Sequence, residues 1–384
     1  MRKICVVTGT RAEFGILSHL MHLIDNNSSM LLQIIATNMH LSPEFGLTYK
    51  EIEKEGFNID KKVQMLLSSD AVNATVKSIG LALIGMADAI EELRPDLILL
   101  LGDRYEMLSA ATAALLYKIP VAHLHGGEIT EGAYDDAIRH AITKMSHLHF
   151  TSTEEYSKRV IQMGESPERV FNVGALGVEN VLNTSLMTKE ELEKSINFCI
   201  GDKSLLVTYH PVTLENSTAE AQFQNLLHIL DELSDYKIIF TYPNSDTDGR
   251  IIVDLIKKFV QDNSNRAISF SSLGKIRYLS TLQYVKAVIG NSSSGLIEIP
   301  SMGIPTLNIG NRQKGRICAP SVVNCDTTLD GIREGIKEVL SKEMKNIAQK
   351  KINPYQGKDT SSNILKILEE YPLENITLKS FYNL

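Results

Sequence analysis

LLLGDRYEMLSAATAALLYKIPVAHLHGGEITEGAYDDAIRH, residues 99–140, is the stretch whose reading decides the fold. Two short apolar runs, Leu97–Leu101 and Ile119–Leu124, each end in a polar turn. Runs of that length bounded by turn residues read as fully buried parallel strands. The first turn offers Gly102, Asp103 and Arg104; the second offers His125, Gly126, Gly127 and Glu128, with Asp135 and Asp136 following. Ligands of open α/β sheets sit beyond the carboxyl ends of the strands. Acids, a base and an Arg are therefore expected at one sheet edge. Asp103 and Glu128 also suit plain helix capping, but the whole set at two adjacent strand ends points to chemistry.

Working outward, strand and helix patterns alternate on both sides of this stretch. Lys3–Val7 reads as a strand and Thr8–Gly15 as a Gly turn into a helix, whose backbone N–H groups could meet an anion. The full G-x-G-x-x-G fingerprint is missing there and elsewhere, which argues against a tightly held NAD. Leu31–Thr37 reads as a strand, 43–55 as a helix and Val72–Leu93 as a long amphipathic helix stopped by Pro95. Residues 178–203 read as a helical, charged connection. Beyond it lie strands at Leu205–Tyr209, Lys237–Thr241, Ala267–Phe270, Ala287–Ile289 and Pro305–Ile309, separated by helices. The expected organisation is an α/β protein of two doubly wound, Rossmann-like domains facing each other across a cleft. The expected bounds are 1–178, with the acids, and 179–360, with a phosphate-binding turn.

Composition fits two globular domains. The chain has 384 residues, 43% hydrophobic and 22% charged, with a formal net charge of −7. That charge gives no general attraction to nucleic acid or to an anionic membrane, so an anionic ligand needs a local basic pocket. Four cysteines without a CxxC pair imply neither structural zinc nor disulfides and fit a reducing cytoplasm. The N-terminus reads as a first strand rather than a signal peptide.

The second half carries GNSSSG at 290–295. Gly and Ser at a strand-to-helix turn let the backbone approach an anion and aim N–H and O–H donors at it, which suits a diphosphate. Glu298, one turn further on, suits ribose hydroxyls better than phosphate. Arg312 and Arg316 in NRQKGR can neutralise phosphate, and His210 before Pro211 can reach a phosphate oxygen.

GTRAE at the start, GDR at 102–104, HGGE with DD-x-x-RHA, then YHP, PN, GNSSSG-x-x-E and G-x-RQ-x-GR together resemble the hydrolysing nucleotide-sugar 2-epimerases over roughly residues 3–320. The resemblance implies a glycosyltransferase-B architecture, with a C-terminal helix, 361–384, returning to the first domain. It implies a UDP- or GDP-linked 2-acetamido sugar as substrate, elimination of the nucleoside diphosphate across C1–C2, and addition of water to the glycal. No metal or other cofactor is needed, and a cytoplasmic homodimer is suggested. By resemblance, Asp103 matches an acid essential for the elimination and Asp135 a carboxylate of the glycal step, with His125 and Glu128 as further catalytic groups. Some members carry Glu where this chain has His125, which leaves the acid/base roles open. Arg11, Arg104, His210, Asn244, Ser292, Ser293, Glu298 and Arg312 match positions that hold the nucleoside diphosphate.

HLHGGE followed by TEGAYDD leans toward N,N'-diacetylbacillosamine as the sugar, on a legionaminic acid route. UDP-N-acetylglucosamine giving N-acetylmannosamine, on a sialic acid route, is the alternative. A glycosyltransferase on the same scaffold predicts acceptor-dependent turnover, and a nucleotide-sugar sensor predicts binding without turnover.

Overall fold

Leu97–Leu101 is a strand with all five residues buried. Its side chains alternate between two cores: Leu97, Leu99 and Leu101 enter one, Ile98 and Leu100 the other. The sheet is therefore covered on both faces, which is why the run carries no polar residue. The protein is described here from a computed structural model that covers residues 1–67, 69, 71–212, 218–243 and 249–384. The chain divides into two compact units.

The first unit comprises Met1–Glu128, Asp135–Asn180 and Tyr355–Leu384. Its strands are β1 (Arg2–Thr8), β2 (Met30–Thr37), β3 (Lys61–Val63), β4 (Leu97–Leu101), β5 (Val121–Leu124), β6 (Leu148–Thr151) and β7 (Val170–Asn172). All pair in parallel, in the order β3-β2-β1-β4-β5-β6-β7. The order reverses between β1 and β4, so the turns after these two strands flank the switch point where such sheets bind ligands. The helix Thr360–Glu370 buries Ile364 and Leu368 in the same core as Leu17 and Leu20. Tyr355 joins the unit through a 2.9 Å hydroxyl contact with Tyr156.

The second unit comprises Ile129–Tyr134 and Val181–Pro354. It contains β8 (Ser204–Thr208), β9 (Lys237–Thr241), β10 (Ala267–Phe270), β11 (Ala287–Gly290), β12 (Thr306–Ile309) and β13 (Val322–Cys325), all parallel, in the order β10-β9-β8-β11-β12-β13. Here the switch point lies between β8 and β11. Leu205 and Val207 face one core and Leu206 the other, repeating the alternation of the first sheet. Ile129–Tyr134 is fixed within this unit: the Glu131 N–H donates to the Lys314 carbonyl at 3.0 Å, and their side chains form an ion pair at 3.0 Å.

Several local expectations need correction. The helix expected over 43–55 is a single 3-10 turn, Pro43–Phe45, then left-handed Gly46 and Leu47, then a short helix, Tyr49–Lys54. The positive φ at Gly46, +86°, breaks the continuous helix. The connection 178–203 is helical as expected, in two helices, Leu176–Asn183 and Lys189–Ile196; the second starts at a capping box of Thr188 and Glu191. The edge strands β3 and β13 were not foreseen, since each buries only one residue fully and shows no apolar run. Among the described residues, no helix is long and apolar enough to cross a membrane.

At the second switch point β11 closes against β8 through Gly290, whose φ is +139°. A Cβ there would stand 1.8 Å from the Thr208 carbonyl oxygen. Backbone offers no rotamer to relieve that clash. Gly290→Ala is expected to cost about 1–3 kcal/mol or more, read as a lower thermal midpoint by circular dichroism; an unchanged midpoint would contradict this packing.

Candidate active site

In the first unit the polar turns at the strand ends are bound together by one buried side chain, Arg139. It lies on the helix Asp135–Met145. Its Nη2 pairs with the Asp103 carboxylate, and its Nη1 donates to the Glu128 carbonyl at 2.9 Å and to Asp136 Oδ1 at 3.3 Å. A guanidinium holds several acceptors at fixed angles, which an ammonium does not. Asp103 and Glu128 are thereby tied to the helix that begins at Asp135. Asp135 itself is half-buried.

His123, fully buried in β5, braces the same turn from behind. Its Nε2 lies 2.7 Å from the Gly102 carbonyl and its Nδ1 3.2 Å from the Thr143 hydroxyl. Burial pushes this imidazole down to about 3, so it stays neutral. A carbonyl only accepts, so Nε2 carries the proton and Nδ1 accepts from Thr143.

His125 follows β5 at a φ of +65°, an uncommon conformation for a residue with a side chain. Its Nδ1 lies 2.8 Å from Glu128 Oε1, and the same oxygen accepts from the Ser152 hydroxyl at 2.8 Å. Glu128 is 1% exposed. The other ring nitrogen, Nε2, is buried and has no hydrogen-bond partner among the described residues.

The first turn, Gly9–Arg11, differs from expectation. The helix Arg11–Asp25 starts at a capping box in which Glu13 accepts from the N–H groups of Gly9 and Thr10, at 2.8 and 3.0 Å. These two donors are taken by a carboxylate and do not present themselves to an anion. Arg11 pairs with Glu51. Arg104, also buried, donates to Glu106 Oε1 at 2.9 Å and lies 3.9 Å from Glu13. Burial, then the charge of Glu106, lifts the Glu13 carboxyl to about 7.

In the second unit, Asn291 is 1% exposed and joins three strand-end turns. Its Oδ1 accepts from the His210 N–H at 2.7 Å and its Nδ2 donates to the His210 carbonyl at 2.8 Å. Its own carbonyl accepts from Arg312 at 3.2 Å and from Gln313 at 2.9 Å. His210, Arg312 and the half-buried Ser292 and Ser293 are thus assembled at the carboxyl ends of β8, β11 and β12. Glu298 is not one turn into a continuous helix. It separates two four-residue helices, Ser294–Ile297 and Ile299–Met302. Asn244 lies outside the described residues. Among the described residues, no group of three or more His, Cys, Asp or Glu is arranged to hold a metal ion.

Arg139, Ser152, Asn291 and Gln313 were not singled out from the sequence. Arg139 stood in the RHA of DD-x-x-RHA and Asn291 in GNSSSG, but their contacts join distant segments and leave no local pattern.

A family model described as UDP-N-acetylglucosamine 2-epimerase matches residues 22–369. The chain belongs to that family. It is 45% identical over 384 residues to the GDP/UDP-N,N'-diacetylbacillosamine 2-epimerase (hydrolyzing) of Campylobacter jejuni, covering 100% of this chain and 99% of the relative. It is 38% identical to polysialic acid biosynthesis protein P7 of Escherichia coli, covering 100% and 98%. Its structure is similar to that of the UDP-GlcNAc 2-epimerase from Neisseria meningitidis bound to UDP-GlcNAc, with a TM-score of 0.77 and 18% identity over 95% of this chain and 99% of that one. Two Rossmann-like units of the glycosyltransferase-B kind are the architecture the family shares.

Two outcomes follow from the site's electrostatics. Arg139→Met strands the Asp103 charge and is expected to cost about 3–5 kcal/mol, read by urea unfolding; a loss below 1 kcal/mol, against this expectation, would contradict the Arg139 role. The second outcome concerns pH. His40, His123, His147 and His149 are all pushed below 6.5 by burial, to about 4, 3 and 4 for the first three. Below pH 6.5 the unfolded chain binds protons at these rings that the folded chain refuses, so stability falls with pH. Glu13, raised to about 7, acts in the opposite sense, as one group against four. The thermal midpoint at pH 5 is expected below that at pH 7.5; an equal or higher value would overturn the assignment of neutral buried imidazoles.

Proposed function

We propose that the chain is a hydrolysing 2-epimerase whose substrate is UDP- or GDP-linked N,N'-diacetylbacillosamine and whose products are 2,4-diacetamido-2,4,6-trideoxymannose and the nucleoside diphosphate. The observation that carries this reading is the 45% identity, over essentially the whole of both chains, to an enzyme named for that sugar and for hydrolysis. The 38% identity to a polysialic acid biosynthesis protein favours a second reading, UDP-N-acetylglucosamine to N-acetylmannosamine.

In the first step the C2–H bond breaks and its electrons form the C1=C2 double bond. The C1–O bond breaks in turn, and the diphosphate leaves with that electron pair. In the second, water adds across the glycal, hydroxyl to C1 and proton to C2, with C2 inverted. Both steps need proton carriers, and the first needs charge neutralised on the leaving group. Asp103, His125, Glu128 and Asp135 of the first unit supply the acid/base machinery. Arg11, Arg104, His210, Asn244, Ser292, Ser293, Glu298 and Arg312 hold the nucleoside diphosphate. The Asn291 clasp supports this, since it places His210 and Arg312 beside the Ser292–Ser293 turn. The enzyme works in the cytoplasm as a homodimer; exposed Val76 and Ile84 on the helix Val72–Leu93 support an apolar surface for a second copy.

The test is incubation in D2O with UDP- and GDP-diacetylbacillosamine and with UDP-N-acetylglucosamine, following the released sugar by NMR. Free 2-inverted sugar carrying deuterium at C2 is expected from a diacetylbacillosamine nucleotide at least tenfold faster than from UDP-N-acetylglucosamine. The reverse preference establishes the second reading. Diphosphate release without deuterium at C2 overturns both.

A further inference from the structure

One arrangement in the first unit is more specific than a cluster of acids. His125, Glu128 and Ser152 form a chain of hydrogen bonds that ends at an imidazole nitrogen with no partner among the described residues. A carboxylate on Nδ1 fixes which nitrogen carries the ring proton. Glu128, 1% exposed, accepts at Oε1 from both Ser152 and His125, so Nδ1 is the protonated nitrogen. Nε2 is left with its lone pair, as in hydrolases where a buried carboxylate orients a histidine base. The backbone is held at φ +65° to place the ring there, with the His125 N–H donating to the Phe150 carbonyl at 2.9 Å. Asp103, by contrast, already has its carboxylate on Arg139.

We propose that His125 Nε2 takes the proton from C2 in the elimination step, with Glu128 and Ser152 as positioning residues that fix its tautomer. This rests on the reading of the chain as a 2-epimerase. The C2–H electrons become the C1=C2 bond, the proton passes to Nε2, and the imidazolium is stabilised by the Glu128 carboxylate. Glu128 meets the His125 ring, Arg139 donates to the Glu128 carbonyl and also holds Asp103, and burial pushes His123 and His149 below the ordinary imidazole value.

The experiment separates the two half-reactions. Wild type, His125→Asn, His125→Glu and Glu128→Gln are each given the nucleotide sugar and, separately, the corresponding glycal, after circular dichroism and UDP binding have shown each variant folded. His125→Asn is expected to release diphosphate at least about 100-fold more slowly while hydrating supplied glycal within about tenfold of wild type. Glu128→Gln is expected to lower kcat by about 10²-fold or more with little change in KM. His125→Glu is expected to restore part of the elimination rate, with the acid limb of its pH profile moved to lower pH, since a carboxyl ionises below an imidazole. Near-normal diphosphate release by His125→Asn, accumulation of glycal by that variant, or an unmoved acid limb in His125→Glu would each overturn the assignment. Absence of diphosphate release by wild type itself would overturn the 2-epimerase reading instead.

Discussion

The polar edge of the first sheet depends on the Arg139 guanidinium. It meets the Asp103 carboxylate after β4, the Glu128 carbonyl after β5, and Asp136 on its own helix. Two strand-end turns and a helix start are fixed relative to one another by a group that stays ionised at any working pH. A buried charge of this kind is costly unless its acceptors are in place, so sequence changes at any of them are felt by the others. His123 adds a second brace to the same turn and stays neutral because it is buried.

The second unit solves the matching problem without a charge. Asn291 uses both atoms of its amide on the backbone of His210, and its carbonyl takes Arg312 and Gln313. An amide offers a donor and an acceptor side by side, which suits the N–H and C=O of one residue. Gly290 just before it lets β11 lie against Thr208 where no side chain fits. Each unit therefore keeps a rigid polar rim at the switch point of a parallel sheet, as open α/β sheets generally do at their ligand edges. The rims differ in character: acids and histidines in the first, hydroxyls, amides and an Arg in the second.

Much of this was legible in the sequence because the signals are local. Buried parallel strands appear as uninterrupted apolar runs, and Leu97–Leu101 is a strand at those bounds. The helix Val72–Leu93 also matches, with Pro95 just beyond its end. Edge strands such as Lys61–Val63 escape because most of their side chains are not fully buried, and the helix read over 43–55 is broken where Gly46 turns left-handed. Asp103, His125 and Glu128 could be named as candidates from their places at strand ends. The groups that hold them could not, since Arg139 lies 36 residues from Asp103 and Ser152 24 from Glu128. The T-x-x-E spacing from Thr10 to Glu13 spells a capping box, and that box takes the Gly9 and Thr10 donors that an anion could otherwise meet.

On the proposed assignment, buried hydrogen bonds, rather than the mere presence of acids, decide which atom of the first unit accepts a proton. Histidine ¹⁵N NMR of the protein near neutral pH, with His125→Asn used to assign the signal, tests this most directly. The neutral His125 ring is expected to carry its proton on Nδ1, with an unprotonated Nε2, and Glu128→Gln is expected to shift the ring toward a mixture of tautomers. A neutral ring protonated on Nε2 in the wild type, or a tautomer indifferent to Glu128, would contradict it.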